Sequence, residues 1–218
     1  MKRLLLIVLP ISLFVFSCEE EQSEDTTPTE VTLWGVVYSV ENTTEINLGG
    51  SGLTREIPSE IGNLTNLTFL SLGDNQLTGE IPPEVGNLTN LNYLYLNDNQ
   101  LSGSIPSEIG NLTNLTVLDL HNNQLTGLIP TGLTNMTYLR SLYLNENVLS
   151  GPIPQEIGNM TLLNYLYLND NFLRGIIPDE ICNHLLYTSP GLSGNQLCPP
   201  YPSCVEDYVG NQDTSRCD

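Results

Sequence analysis

The stretch Leu94-Tyr95-Leu96-Asn97-Asp98-Asn99-Gln100-Leu101-Ser102-Gly103-Ser104-Ile105-Pro106 decides how the chain is read, because its key letters return every 24 residues. Asn75, Asn99, Asn123, Asn147, Asn171 and Asn195 keep that period without a slip, and Ser51 holds the place one period earlier. Leucines travel with them, from Leu70, Leu72 and Leu77 to Leu166, Leu168 and Leu173. Two apolar side chains two residues apart share one face of a strand. Each repeat therefore offers one short strand with its leucines turned inward. Identical units at a constant period satisfy their edges only on their neighbours, so the strands stack in parallel into a solenoid.

Asparagine can fill its donors and acceptors with backbone groups, so a buried column of asparagines satisfies the loop leaving each strand. Asn122, one residue before Asn123, is expected to face solvent and to tolerate alanine. Gly79, Gly103, Gly127, Gly151 and Gly175 stand four residues after each asparagine, where the chain must turn. Arg55 interrupts that column in the first repeat. Ile-Pro follows at 57–58, 81–82, 105–106, 129–130, 153–154 and 177–178, where proline presets φ for a short helical turn.

Leucine and asparagine supply 38 and 24 of the 218 residues. There are 25 acids against 6 bases, for a net charge of −19, and Lys2 is the only lysine. Such a surface repels phosphate backbones and excludes nucleic-acid binding. The apolar content and its regular spacing exclude a wholly disordered chain.

The pattern running from Leu94 through Asn99, Gly103, Ile105-Pro106 and Ile109-Gly110-Asn111-Leu112 to Leu115 resembles the plant-type leucine-rich repeat. That family includes plant receptor ectodomains, inhibitor proteins and some bacterial surface proteins. The resemblance covers residues 46–197 in about seven coils. It implies an α/β repeat solenoid, a right-handed horseshoe with a parallel sheet on the concave face and 3₁₀ or irregular segments on the convex side. A short second sheet near each Gly-x-Ile-Pro is implied as well. The family implies binding without naming a ligand.

Met1-Lys2-Arg3 followed by an apolar run to Phe16 reads as a signal peptide over residues 1–17, too short for a membrane span. Val15-Phe16-Ser17-Cys18 resembles the lipobox of bacterial lipoproteins, with Phe16 departing from the usual small residue, and implies a lipid on Cys18. Residues 18–30 form an acidic tether, six of the last twelve being Asp or Glu. This run resembles the surface-export signal of lipoproteins in the Bacteroidetes group. Cleavage would leave 4 bases and a charge of −21.

Residues 31–45 carry the only tryptophan, Trp34, and are expected to cap the first coil's leucines. Residues 198–218 form a cysteine-rich C-terminal cap. Cys182, Cys198, Cys204 and Cys217 make an even set in an exported chain, consistent with two disulfides and three possible pairings. The stretch Leu197-Cys198-Pro199-Pro200-Tyr201-Pro202-Ser203-Cys204 resembles the ending of plant repeat ectodomains, one residue tighter and with Pro199 in place of glycine. That resemblance implies Cys198–Cys204, and hence Cys182–Cys217.

Residues alternating with the strand leucines face outward on the concave side: Phe69 and Ser71, Tyr93 and Tyr95, Val117 and Asp119, Ser141 and Tyr143, Tyr165 and Tyr167. Beside them runs an acidic column of Asp74, Asp98, Glu146 and Asp170, broken by Asn122. Aromatics next to carboxylates can stack sugar rings or hold a basic peptide. The candidate ligand face is therefore Phe69, Tyr93, Tyr95, Asp119, His121, Tyr143, Tyr165 and Tyr167. Asp119 and His121 project from one strand face as a polar pair, a pattern more often structural than catalytic. Tyrosine also suits an exposed strand by propensity, and Asn92 to Asn99 recurs letter for letter at 164–171, as duplication would produce. Asn-x-Thr sequons at Asn63, Asn87, Asn111 and elsewhere fall out of the same repeated phrase.

No nucleophile elbow, phosphate loop, His-rich metal motif or Cys-x-x-Cys is present, so neither a cofactor nor a metal is expected. The expected protein is a monomeric, non-enzymatic binding module on the bacterial cell envelope, held to the membrane by its lipid alone, that captures an extracellular protein or glycan. A surface spacer without a defined ligand is the alternative.

Overall fold

The computed structural model describes residues 28–183 and 189–217; the signal peptide, Cys18 and nearly all of the acidic tether lie outside them. Glu30–Leu33 and Val36–Ser39 pair antiparallel through a two-residue turn at Trp34-Gly35. Val31 and Leu33 are buried and form the apolar lid of the first coil. Trp34 is only half-buried and packs on the core's edge from the turn, with its indole N–H unpaired. It contributes to the cap, but the strand beside it does most of the covering.

Six three-residue strands follow in parallel: Glu45–Asn47, Phe69–Ser71, Tyr93–Tyr95, Val117–Asp119, Ser141–Tyr143 and Tyr165–Tyr167. Every partner lies 24 residues away, as in Ile46↔Leu70, Leu70↔Leu94 and Leu94↔Leu118. The central residue of each, Ile46 in the first strand and leucine in the others, is buried, and its two neighbours alternate to the other face, where only Ser141 is itself covered.

A second parallel sheet forms past the asparagines, from Thr126–Gly127, Val148–Gly151, Phe172–Ile176 and Gln196–Cys198, with Thr54–Arg55 and Gln76–Leu77 paired at the other end. Here partners lie 22 residues apart, as in Val148↔Thr126 and Arg174↔Gln196. The two sheets therefore differ by two residues of stagger per coil.

Six 3₁₀ segments, beginning with Ser59–Asn63 and ending with Asp179–Asn183, form the opposite side. The prolines precede rather than open these turns. Pro58 has φ −66 and ψ 136, and its carbonyl accepts the first turn bond from the Ile61 N–H at 3.1 Å. Coils pack tightly at this edge: a Cβ on Gly62 would lie 2.5 Å from the Glu84 carbonyl oxygen.

The asparagine column is a ladder of repeated geometry. Asn123 Nδ2 reaches the carbonyls of Leu96, Leu120 and His121 at 3.0, 3.2 and 3.2 Å, while its Oδ1 accepts from the Leu101 N–H at 3.0 Å. Asn75, Asn99, Asn147, Asn171 and Asn195 make the same set. The ladder does not end at Asn195. Gln212, from the C-terminal cap, accepts from the Leu197 N–H at 3.0 Å and donates to the Leu192 and Val209 carbonyls.

Two backbone columns are left-handed. Gly79, Gly103, Gly127, Gly151 and Gly175 have φ between 74 and 86, and Arg55 adopts φ 75 in their line. The other column is Gly50, Asp74, Asp98, Asn122, Glu146, Asp170 and Gly194, with φ between 51 and 67. Gly, Asn and Asp tolerate this region best. The acidic column thus has a conformational cause, and Asn122, though exposed as expected, is not a neutral place for alanine.

The disulfide pairing implied by the plant-type ending is corrected. Cys182 bonds Cys204 and Cys198 bonds Cys217, with Cα separations of 5.7 and 5.5 Å. Cys198 ends a strand of the second sheet, whereas Cys182 lies on the 3₁₀ segment Asp179–Asn183. Pro199, Pro200 and Pro202 restrict the backbone between Cys198 and Cys204, and the Tyr201 hydroxyl donates to the Leu197 carbonyl at 3.2 Å. This course delivers Cys204 to the 3₁₀ side and leaves Cys198 for the terminal tail.

Candidate functional site

The concave sheet sorts its outward residues into straight rows, because its register follows the 24-residue period. One row runs Phe69, Tyr93, Val117, Ser141, Tyr165, and the next Ser71, Tyr95, Asp119, Tyr143, Tyr167. Neighbouring strands lie about 4.8 Å apart, which brings the rings into two groups. Phe69 lies 6.0 Å from Tyr93 and 5.8 Å from Tyr95, tilted by 49° and 48°. Tyr143 and Tyr167 stack at 5.3 Å and 14°. Ser141 interrupts the first row between Val117 and Tyr165, which remains exposed.

Between these groups lies a polar centre. His121 Nδ1 is 2.7 Å from Asp119 Oδ1, and His121 Nε2 is 3.2 Å from Asp98 Oδ2. Asp98 also accepts from Asn122 Nδ2 at 2.6 Å and from Asn97 Nδ2 at 2.8 Å. The sequence pair Asp119 and His121 is therefore part of a network across two coils. Asp98 joins it from 23 residues upstream, a partner that pairwise motif reading misses but stacking one repeat on the next reveals.

Burial opposes charge on His121, but the Asp119 hydrogen bond and the charges of Asp119, Asp98 and Glu146 together raise its pKa above the ordinary value. Burial likewise opposes charge on Asp98, and the bonds from Asn122 and Asn97 with the nearby His121 hold its carboxyl below the usual range. The Tyr95 phenol is pushed up by burial and then by Asp119. Both aromatic groups thus border this hydrogen-bonded polar centre. Among the described residues no group of three His, Cys, Asp or Glu is arranged to hold a metal ion.

The leucine-rich repeat region model matches residues 84–179, and a single leucine-rich repeat matches residues 66–88. The solved structure of a Pollen Receptor Kinase 3 is 30% identical with a TM-score of 0.66, over 78% of this chain and 80% of that one. This chain belongs to the leucine-rich-repeat family. The plant peptide hormone receptor RGFR1 in complex with RGF2 is 39% identical, with a TM-score of 0.69 over 72% of the leucine-rich-repeat chain. The receptor kinase GASSHO1/SCHENGEN3 from Arabidopsis thaliana, in complex with CASPARIAN STRIP INTEGRITY FACTOR 2, is 38% identical with a TM-score of 0.68 over 72%. This chain spans only 25% and 19% of those two receptor chains. No curated protein sequence matches it significantly.

Proposed function

We propose that this leucine-rich-repeat protein is a non-enzymatic binding module of the bacterial cell envelope that captures an extracellular protein or glycan on its concave sheet. The observation that carries the reading is the pair of aromatic groups, Phe69-Tyr93-Tyr95 and Tyr143-Tyr167, on either side of the Asp98–His121–Asp119 centre. Rings supply flat apolar area, and the carboxylates accept from sugar hydroxyls or pair with basic side chains. RGFR1 and GASSHO1/SCHENGEN3, whose repeats are similar, were solved in complex with RGF2 and CASPARIAN STRIP INTEGRITY FACTOR 2. An open strand face excludes water poorly, which disfavours hydrolysis by the acids there.

Address follows from the leader and the cysteines. Disulfides persist in oxidising compartments, and no helix among the described residues is long and apolar enough to cross a membrane. Membrane attachment in this reading comes from a lipid on Cys18, at the outer-membrane surface. Cys18→Ser should move the protein from the membrane fraction to the soluble fraction; retention of the mutant in membranes refutes the anchor.

A spacer without a ligand is the second reading, favoured by the letter-for-letter copy of Asn92 to Asn99 at 164–171. Probing protein and glycan arrays with the purified protein separates the two. Each aromatic contact is worth about 0.5–1.5 kcal/mol beyond burial. The triple variant Tyr95→Ser, Tyr143→Ser, Tyr167→Ser should therefore weaken any captured ligand at least tenfold. Thr89→Ala, Thr113→Ala, Thr137→Ala on the exposed opposite side should not. Full binding by the tyrosine triple sinks the concave-face reading.

A further inference from the structure

The second sheet changes character along the solenoid. The residue after each turn glycine or Arg55 is Glu56, Glu80 and Ser104 in the first coils, then Leu128, Pro152 and Ile176. Leu128 and Ile176 are 60% and 62% exposed, and Phe172 on the same sheet is 50% exposed. An apolar face of this kind is unusual on so polar a chain.

Two adjoining hollows of about 440 and 430 Å³ share Pro152 and Ile176, making one elongated groove. At one end stands Leu128. At the other, Arg174 and Arg216 face the same hollow, and no acid lines that end. The described residues hold only four arginines, and two of them are gathered there. Among the described residues neither arginine is ion-paired. Asp213 feels the charge of Arg216, but its direct partner is the Ser215 N–H at 3.1 Å, and it does not line the hollow. The corresponding hollow at the first coils is lined by Arg55 with Glu56, Glu60 and Glu80. The Cys198–Cys217 disulfide holds Arg216 beside the strand end, so the corrected pairing builds this basic corner.

We propose that the groove is a docking site, separate from the concave face, for an extended peptide segment of a partner protein. The segment places a carboxylate at Arg174 and Arg216 and aliphatic side chains over Ile176, Pro152 and Leu128. Charge complementarity selects it: on a chain of −19, this corner accepts an acid where the matching hollow repels one. Leu128 and Ile176 belong to coils two apart, about 10 Å along the sheet, which an extended peptide covers in about three residues.

The test is fluorescence anisotropy of the purified protein with a labelled peptide of about ten residues in which Leu and Ile alternate with Glu and Ser. The wild type should bind it. Arg174→Ala with Arg216→Ala, and separately Ile176→Asp, should each weaken binding at least tenfold, as should replacing the peptide's Glu by Gln. All three substituted residues are exposed, and circular dichroism confirms that the variants stay folded. The triple variant Tyr95→Ser, Tyr143→Ser, Tyr167→Ser should bind as wild type, which keeps this site distinct from the concave reading. Absence of binding, indifference to the arginine pair, loss in the tyrosine triple, or capture of phosphatidylglycerol vesicles in place of the peptide overturns the proposal.

Discussion

Gln212 occupies the rung above Asn195 and repeats its bonds from a different backbone: Asn195 Oδ1 accepts from Leu173 N–H at 3.0 Å, and Gln212 Oε1 accepts from Leu197 N–H at 3.0 Å. The extra methylene lets a residue outside the 24-residue frame reach the place where the next asparagine would stand. The C-terminal cap thus supplies the Leu197 N–H and the Leu192 carbonyl with the partners that the next asparagine would have given.

Gln212→Ala should cost about 1–3 kcal/mol, the penalty for unpaired buried backbone groups, and Asn123→Ala a similar amount in the central coil. Asn122 provides the contrast through its left-handed backbone, φ 51. Asn122→Gly should lose only the exposed bond to Asp98 and cost less than Asn123→Ala, whereas Asn122→Ala should lose about 1 kcal/mol more than Asn122→Gly. Urea unfolding midpoints of the four variants check the assignment, and equal losses at Asn122→Gly and Asn123→Ala would refute it.

Arg55 carries φ 75 in a column otherwise filled by glycine. A left-handed residue other than glycine costs about 1–2 kcal/mol, partly offset by glycine's greater entropy in the unfolded chain. Arg55→Gly is therefore expected to stabilise the protein by about 0.5–1 kcal/mol, while Arg55→Ala should not. A melting temperature unchanged or lowered in Arg55→Gly would show that the charge of Arg55 beside Glu56 and Glu80 outweighs the strain.

The His121 pKa is raised in the folded protein. A raised basic group contributes stability that is fully present below its unfolded pKa, about 6.5, and is lost as pH rises through the higher folded value. The stability gap between wild type and His121→Gln should therefore be larger at pH 5.5 than at pH 8.5. Following the His121 ring protons by NMR gives the pKa directly, and a titration below the unfolded value would contradict the network.

Each disulfide should contribute about 3 kcal/mol by closing loops of 22 and 19 residues. Non-reducing digestion and mass spectrometry should recover Cys182 linked to Cys204 and Cys198 linked to Cys217. A Cys198–Cys204 species would restore the pairing that the plant-type ending implies.

The period of 24 determined the solenoid by itself. A constant repeat of Leu70-x-Leu72-x-x-Asn75 leaves a single arrangement that buries these repeated leucines and satisfies these repeated asparagines, so the concave strands, their register and their outward rows were readable from the letters. Tertiary structure decided whatever depends on contacts between unlike positions. His121 finds Asp98 only once coils stack, and Gln212 reaches the ladder from outside the repeat. The acidic column reads as a ligand feature in sequence, yet its backbone is left-handed, and φ is not written in composition. Cysteine pairing depends on where Pro199 to Pro202 carries the chain, a matter of path rather than spacing. Periodic sequence fixes periodic structure because each unit meets its own copy; caps and crossings meet something else, and only the folded chain shows what.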